Sequence, residues 1–406
     1  MAPHALGIAF ALARFKRALA AAGLPDQRLH DLRHYAATFP VAKGVHTWVV
    51  MEILGHAKMA TTTDLYAHVL HAHREVASVI DQPVPAVQNA RSDNPLGVDL
   101  GVTLPDYGHD LQFGFFLDPT TGNPERIVEI AHILDDLGYD LIGIQDHPYQ
   151  QKHFDAMALI GYLLGQTERI RIFPDVANLP LRPPAMLAKE AATLDQLSGG
   201  RFELGLGAGA FWDAIRAMGG PVREPKEALA ALREATTLIR AYWSGQTLRH
   251  AGAIYQAMGA RPGPLPAHDI GIWLGVIGPR ALRLTGELAD GWVPSMAYVP
   301  PSQAAKSNAI IDEAARAAER EPSAIRRIYN IGGDVAPLVE DGASDDDQQI
   351  IGPRDHWVNV LTHLAIDHGF STFVLWGVPT APRLRMFIDE IAPAVKERVA
   401  EVRARR

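Results

Sequence analysis

Asp146 and His147 stand side by side just after an apolar run. An imidazole next to a carboxylate can take or give a proton near neutral pH, so His147 with Asp146 is the leading candidate for acid–base work. Gly278-Pro279-Arg280 offers a second kind of chemistry. Proline in the first turn of a helix leaves free N–H groups around it, and a cation beside them completes a phosphate site. Gly207 and Gly209 lack the Cβ atoms that would keep a flat ring away from the backbone. Gly205-x-Gly207-x-x-Ala210 also matches a dinucleotide fingerprint in form. Phe211-Trp212 and a long loop follow it, where that fingerprint needs an immediate helix and a second parallel strand, so the match is rejected. Cysteine is absent, which excludes thiolate metal sites, iron–sulfur clusters and a cysteine nucleophile.

These residues need elements to hold them, and the chain supplies a regular set. Strand-like runs occupy 111–117, 141–145, 170–177, 202–207, 271–276, 291–295, 327–335 and 372–376. Helical patterns follow each of them, over 124–137, 154–165, 183–197, 225–244, 279–289, 302–320, 354–368 and 382–402. Asn123-Pro124 opens the first helix and Gly138 closes it. Eight strand–helix pairs predict an α/β fold, a (β/α)8 TIM barrel over 111–402, with its site on the loops after the strands. Every candidate above falls on such a loop. No His-x-His follows the first strand, so a metal-dependent hydrolase on this barrel is disfavoured and no metal is expected. Asp345-Asp346-Asp347 reads as a solvated acidic loop, and His356, His363 and His368 read as surface residues of the seventh helix.

The 406 residues are 48% hydrophobic and 21% charged, a globular balance with ample material for a core. The apolar runs are broken by charge too often for a membrane span. In the first twenty residues the charges follow the apolar stretch, the reverse of a signal peptide, so a cytoplasmic protein is expected. The net charge of −8 is uneven: residues 1–80 carry +3 and eight of the 17 histidines, the remainder −11. That split suggests two pieces of different origin. Residues 81–110, rich in proline and glycine and without periodicity, read as a linker.

The segment Ala188-Lys189-Glu190-Ala191-Ala192-Thr193-Leu194-Asp195-Gln196-Leu197-Ser198-Gly199-Gly200-Arg201 runs straight into Phe202-Glu203-Leu204-Gly205-Leu206-Gly207. With Ile272-Trp273-Leu274-Gly275, Gly278-Pro279-Arg280-Ala281-Leu282-Arg283-Leu284 and Ala289-Asp290-Gly291-Trp292, it resembles the luciferase-like monooxygenase superfamily of flavin- and deazaflavin-dependent barrels. The resemblance covers 111–402 in order. It implies a flavin at the mouth of the barrel, with His147 near its reactive face and Asn178 on its pyrimidine edge. Gly207 and Gly209 would make room for the ring, and Gly278 and Arg280 would hold the phosphate. Asp118, Phe211 and Trp212 would line the substrate pocket. A non-proline cis peptide at the end of the third strand is also implied.

Residues 1–80 read as a small all-α fragment with helices near 4–22, 30–43, 46–55 and 61–79. His30-Asp31-Leu32-Arg33, then Leu54-Gly55-His56 and Tyr66, resemble the C-terminal end of tyrosine recombinases, the phage-type integrases. By that resemblance His30, Arg33 and His56 would hold the phosphate and Tyr66 would attack it. The family's upstream Arg and hairpin Lys have no counterpart among the 29 residues before His30, so an inactive remnant is expected and DNA is not expected as a partner.

The function expected is oxidation of a small organic substrate with O2 and reduced FMN, supplied by a flavin reductase, on a homodimeric enzyme. The alternative on the same barrel is hydride transfer with the deazaflavin coenzyme F420. The alternative of another class is DNA recombination by the front segment.

Overall fold

The computed structural model of the chain describes residues 106–335, 344–345, 349–377 and 379–405. The recombinase-like motif, His30, Arg33, His56 and Tyr66, and the acidic residues Asp346 and Asp347 lie outside the described residues.

The strands of the barrel are β1 Gln112–Phe116, β2 Leu141–Ile144, β3 Arg171–Pro174 with its continuation β4 Ala177–Asn178, and β5 Leu204–Gly207. They continue as β8 Ile272–Leu274, β9 Gly291–Trp292, β10 Arg326–Val335 and β13 Thr372–Trp376. All pair in parallel in the order β3-β2-β1-β13-β10-β9-β8-β5-β4, and a bridge from Ile172 to Phe202 completes the ring. The helices between them are α1 Pro124–Leu137, α2 Ala156–Gln166, α3 Pro184–Ser198, α5 Pro225–Trp243, α6 Pro279–Leu288, α7 Pro301–Ala317 and α8 Arg354–His368. The last stretch is α9 Ala381–Met386, a π-helical turn at Phe387–Ile391, and α10 Ala392–Arg405. A short helix, α4 Trp212–Ala217, and a hairpin of β6 Leu248–Ala251 with β7 Gln256–Ala260 were not foreseen. Two further strands, β11 Ser344–Asp345 and β12 Gln349–Gly352, were also not foreseen; β12 adds to the outer end of β10.

The local signals act as expected on α1. The Asn123 side chain accepts from the Arg126 N–H, Pro124 fills the first turn, and Gly138 closes the helix in the left-handed region at φ 80°. Inside the barrel Leu141, Phe173, Trp273, Val293, Ile328 and Val374 form one apolar plug, with Phe173 and Trp273 edge to face at 5.0 Å. A larger apolar layer lies between the strands and the helices.

The family-like segment 188–201 turns out to secure the closed end of the barrel. Arg201 donates to the carbonyls of Leu164, Ser198 and Ile170 and to Thr167 Oγ1, tying down the end of α2. Buried Asp195 accepts from the Ala267 and His268 N–H groups and from the His268 ring. The segment's partners sit at the ends of α2 and α3 and in the segments that lead into β3 and β8.

Residues 106–110, read as the end of a linker, are held on the barrel instead. Asp106 forms a bidentate pair with Arg403 at 2.6 and 2.9 Å. The Tyr107 hydroxyl donates to Asp312, and the Arg327 guanidinium stacks on the Tyr107 ring at 4.4 Å. Absence of periodicity marked this stretch as loop, but its side chains have partners 200 or more residues away.

The histidines of α8 also differ from expectation. His368 is 4% exposed, and the side chain of His363 is largely covered, packed edge to face on it at 5.0 Å. Burial, with His363 beside it, pushes the His368 imidazole down to about 4. The unfolded chain therefore binds a proton on this residue that the native chain refuses between the ordinary value, about 6.5, and 4. Stability falls as pH drops through that window, by up to about 3 kcal/mol from this residue. Denaturant midpoints measured from pH 7 to 4.5 should decline, and the decline should be shallower in His368→Gln. Equal slopes would refute the assignment.

Candidate active site

The loops after β2, β4, β5, β8 and β9 meet at the open end of the barrel. Three acceptors on the floor and one imidazole on the wall define it.

His147 is half-buried on the loop after β2. Its Nδ1 is 2.7 Å from the Tyr149 hydroxyl, and its ring meets Phe211 edge to face at 5.7 Å. Tyr149 and Phe211 also touch at 5.9 Å, so three rings from two loops form one cluster. Phe211 holds a φ of 53°, the left-handed region that costs a non-glycine residue about 1 kcal/mol, and this conformation brings its ring to His147. Burial lowers the His147 pKa most, His153 adds to the lowering, and Asp146 opposes it. The imidazole is thus neutral at pH 7.

Asp146 is not the partner of the His147 ring. It is 3% exposed and accepts from Arg182 Nε and Nη2 at 2.6 and 2.8 Å and from the Asn178 N–H at 2.8 Å. Arg182 reaches Asp155 as well, at 2.6 Å. The physical reason is simple: two carboxylates within reach of one buried guanidinium make a bidentate, charge-assisted clamp stronger than a bond to a neutral imidazole. Asp146 therefore ties the loop after β2 to the strand end at Asn178 and to Arg182.

The glycines lie against side chains of the neighbouring loops. A Cβ on Gly207 would lie 2.7 Å from Val176, and one on Gly275 2.9 Å from the same side chain. A Cβ on Gly209, at φ 103°, would lie 2.5 Å from Pro180 and 2.9 Å from Trp212. Gly207 and Gly209 thus allow close approach of Val176, Pro180 and Trp212. The peptide bond between Asp175 and Val176 is cis. Asp118 is exposed and spends its carboxylate on the Thr120 N–H and hydroxyl, an Asx turn. Trp212 begins α4 and packs over Gly209.

Gly278 is the N-cap of α6, with nothing within 4 Å of where its Cβ would stand. Arg280 is exposed in the first turn and enters no ion pair. Asn178 is 6% exposed, and its Oδ1 has no hydrogen-bond partner. Asp175 Oδ2 and Asn330 Oδ1 are likewise buried and unpartnered. Such atoms cost about 1–3 kcal/mol each unless something satisfies them, which is how a binding floor differs from a core. Phe211, Ile277 and Tyr298 are exposed on the loops after β5, β8 and β9, and Trp376 is exposed at the end of β13. An apolar rim over a polar floor suits a flat heteroaromatic ring. Among the described residues no group of three His, Asp or Glu is placed to hold a metal ion, and no helix is long and apolar enough to cross a membrane.

Several of these residues escaped the sequence reading. Asp175 and Asn330 each stand two residues beyond an apolar plug residue, Phe173 and Ile328, and a polar residue at that spacing is the signal that marks them. Tyr149 carried no signal beyond its place two residues after His147.

Comparison with known proteins agrees with this architecture. A family model described as luciferase-like monooxygenase matches residues 107–337, and one described as phage integrase family matches residues 10–73. An F420-dependent glucose-6-phosphate dehydrogenase of Nocardia farcinica is 31% identical over 232 residues, covering 55% of this chain and 68% of that protein. A 5,10-methylenetetrahydromethanopterin reductase of Archaeoglobus fulgidus is 33% identical over 186 residues, 45% of this chain and 52% of that protein. The chain thus spans about half to two thirds of the length of these relatives. Among solved structures, an F420-dependent secondary alcohol dehydrogenase holding an F420–acetone adduct matches with a TM-score of 0.63 at 20% identity, over 71% of this chain and 99% of that one. A Baeyer–Villiger monooxygenase component from Pseudomonas putida in complex with FMN matches with a TM-score of 0.60 at 18% identity, over 70% and 98%.

Proposed function

The chain belongs to the luciferase-like monooxygenase family and is an oxidoreductase, and from that premise we propose that its barrel transfers hydride between a small organic substrate and the deazaflavin coenzyme F420. The observation that carries the reading is a neutral imidazole, His147, beside a floor of buried oxygens that no protein group satisfies. Relatives at 31% and 28% identity that are F420-dependent dehydrogenases favour the deazaflavin over reduced FMN. Asn178 and Asn330 would hold the polar edge of the ring, Val176 would back it, and Arg280 at the start of α6 would hold phosphate. When bound, F420 supplies a hydride acceptor with little reactivity toward O2, and in that case no flavin reductase is needed.

The chain's own part is positioning and proton transfer. In the tautomer whose Nδ1–H donates to the Tyr149 oxygen, His147 keeps its Nε2 lone pair for the proton of a substrate hydroxyl as the adjacent carbon gives up hydride. The Phe211 and Tyr149 rings cover the imidazole and keep water off it. Because the imidazole titrates below its ordinary range, activity on alcohols should persist below pH 6.5 and fall only as His147 gains its proton. We read residues 1–80 as a recombinase-like fragment with no part in this reaction and 81–105 as the linker. Mixing the protein anaerobically with F420 and a panel of small alcohols should bleach the oxidised coenzyme in proportion to enzyme. Oxygen uptake with reduced FMN, and no bleaching of F420, would reverse the reading.

A further inference from the structure

Asp175 stands between β3 and β4, with the buried residues Pro174 and Ala177 on either side of the Asp175-Val176 pair. Phe173 belongs to the plug inside the barrel, and a Cβ on Gly143 would lie 3.1 Å from its ring, on the side where Asp175 also stands. A Cβ on Gly143 would lie 3.0 Å from Asp175 Oδ2, so the carboxyl occupies the space that this glycine leaves inside β2. Asn330 stands two residues beyond Ile328 of the same plug, and its Nδ2 reaches Ser295 Oγ at 3.4 Å. The Asn330 side chain is near enough to Asp175 to favour its ionised form somewhat, against the effect of burial. Even so, Asp175 Oδ2 and Asn330 Oδ1 are left buried and without partners. An acid in the floor of a barrel, with one oxygen and a neighbouring amide oxygen both unused, is a group waiting for a ligand.

We propose that Asp175, backed by Asn330, is a specificity-determining residue of the site, a carboxylic acid that donates a hydrogen bond to an acceptor atom of the bound deazaflavin ring. This rests on the F420 reading above. Burial pushes the Asp175 carboxyl up to about 7, opposed only by the Asn330 side chain, and no charged group acts on it. The charged groups on the adjoining loop are engaged elsewhere: Asp146 is clamped by Arg182, and His147 is neutral and bonded to Tyr149. An ionised Asp175 would set a bare negative charge against the ring's carbonyl edge and the Asn330 oxygen, with no cation to offset it. The acid form is therefore the one that binds.

The apparent Kd for F420 should then rise with the ionised fraction, roughly tenfold for each pH unit above 7. The test is fluorescence titration of the full chain with F420 from pH 6 to 9, on the wild type and on Asp175→Asn. The amide keeps a donor and cannot ionise, so the variant's affinity should change less than threefold between pH 7 and 9. Any titration of the coenzyme itself appears in both proteins and cancels. Infrared difference spectra of the unliganded protein give a second reading: a protonated-carboxyl band present at pH 6, lost by pH 9, and absent from Asp175→Asn. A wild-type affinity that is flat or rises with pH overturns the proposal, as does a variant with the same decline. If the infrared band titrates but F420 binds at no pH, the F420 reading fails and the ring-holding role falls with it.

Discussion

Replacing His147 with Gln lowers kcat for F420 reduction by about 10²–10⁴ while the Kd for F420 stays within about threefold, the range expected when a general base is removed and binding is kept. The argument runs through the cluster on the loop after β2. His147 is the imidazole at the mouth whose pKa burial and His153 lower together, so it is neutral and able to accept a proton where the reaction needs it. Its Nδ1 is taken by Tyr149 and its face by Phe211, which leaves one nitrogen for chemistry. Gln preserves polarity and approximate size but cannot carry the proton. Tyr149→Phe removes the bond that orients the ring and should lower kcat by a smaller factor, about tenfold. A His147→Gln enzyme with wild-type kcat would assign the proton to another group.

Arg327→Met destabilises the barrel by about 3–5 kcal/mol, because the change leaves Asp312 buried and uncompensated. Arg327 is fully buried, near the start of β10. It donates to Asn308 Oδ1 at 2.7 Å, to the Ile325 carbonyl at 2.5 Å and to Asp312 Oδ1 at 2.6 Å, with the Tyr107 ring stacked on its guanidinium. This group joins β10, α7 and the strap at 106–110 in one place. The double variant Arg327→Met with Asp312→Leu removes both charges and should recover a large part of the loss, since an apolar pair avoids the desolvation that the ion pair must offset. Thermal and denaturant melts of the three proteins decide the matter. A single variant as stable as the wild type would show that the pair does not hold the strap.

The barrel was legible because strand runs and helical periods alternate eight times, and caps such as Asn123-Pro124 and Gly138 fix ends within a residue or two. The loops of the mouth were legible as places, since a site on this fold lies after the strands. Partnership inside the mouth was not. Asp146 next to His147 suggested a pair, yet Arg182, 36 residues on, won the carboxylate because a guanidinium binds it twice. Gly207 suggested a close approach, and it is Val176, between β3 and β4, that comes close. Asp175 and Asn330 lie 155 residues apart, and only closure of the barrel brings them together. The segment most like its family, 188–201, serves the closed end of the barrel and not the site. Sequence adjacency is a poor guide to contact where loops converge, and glycine shows that something is close without showing what.

The most direct test of the account is competition between the two cofactors. The full chain, titrated with F420 and separately with FMN at pH 7 while fluorescence is followed, should quench F420 saturably with a Kd in the micromolar range or below. FMN should bind at least tenfold more weakly. Saturable FMN binding with no response to F420 would contradict the account and make the protein a flavin enzyme of the oxygen-using kind.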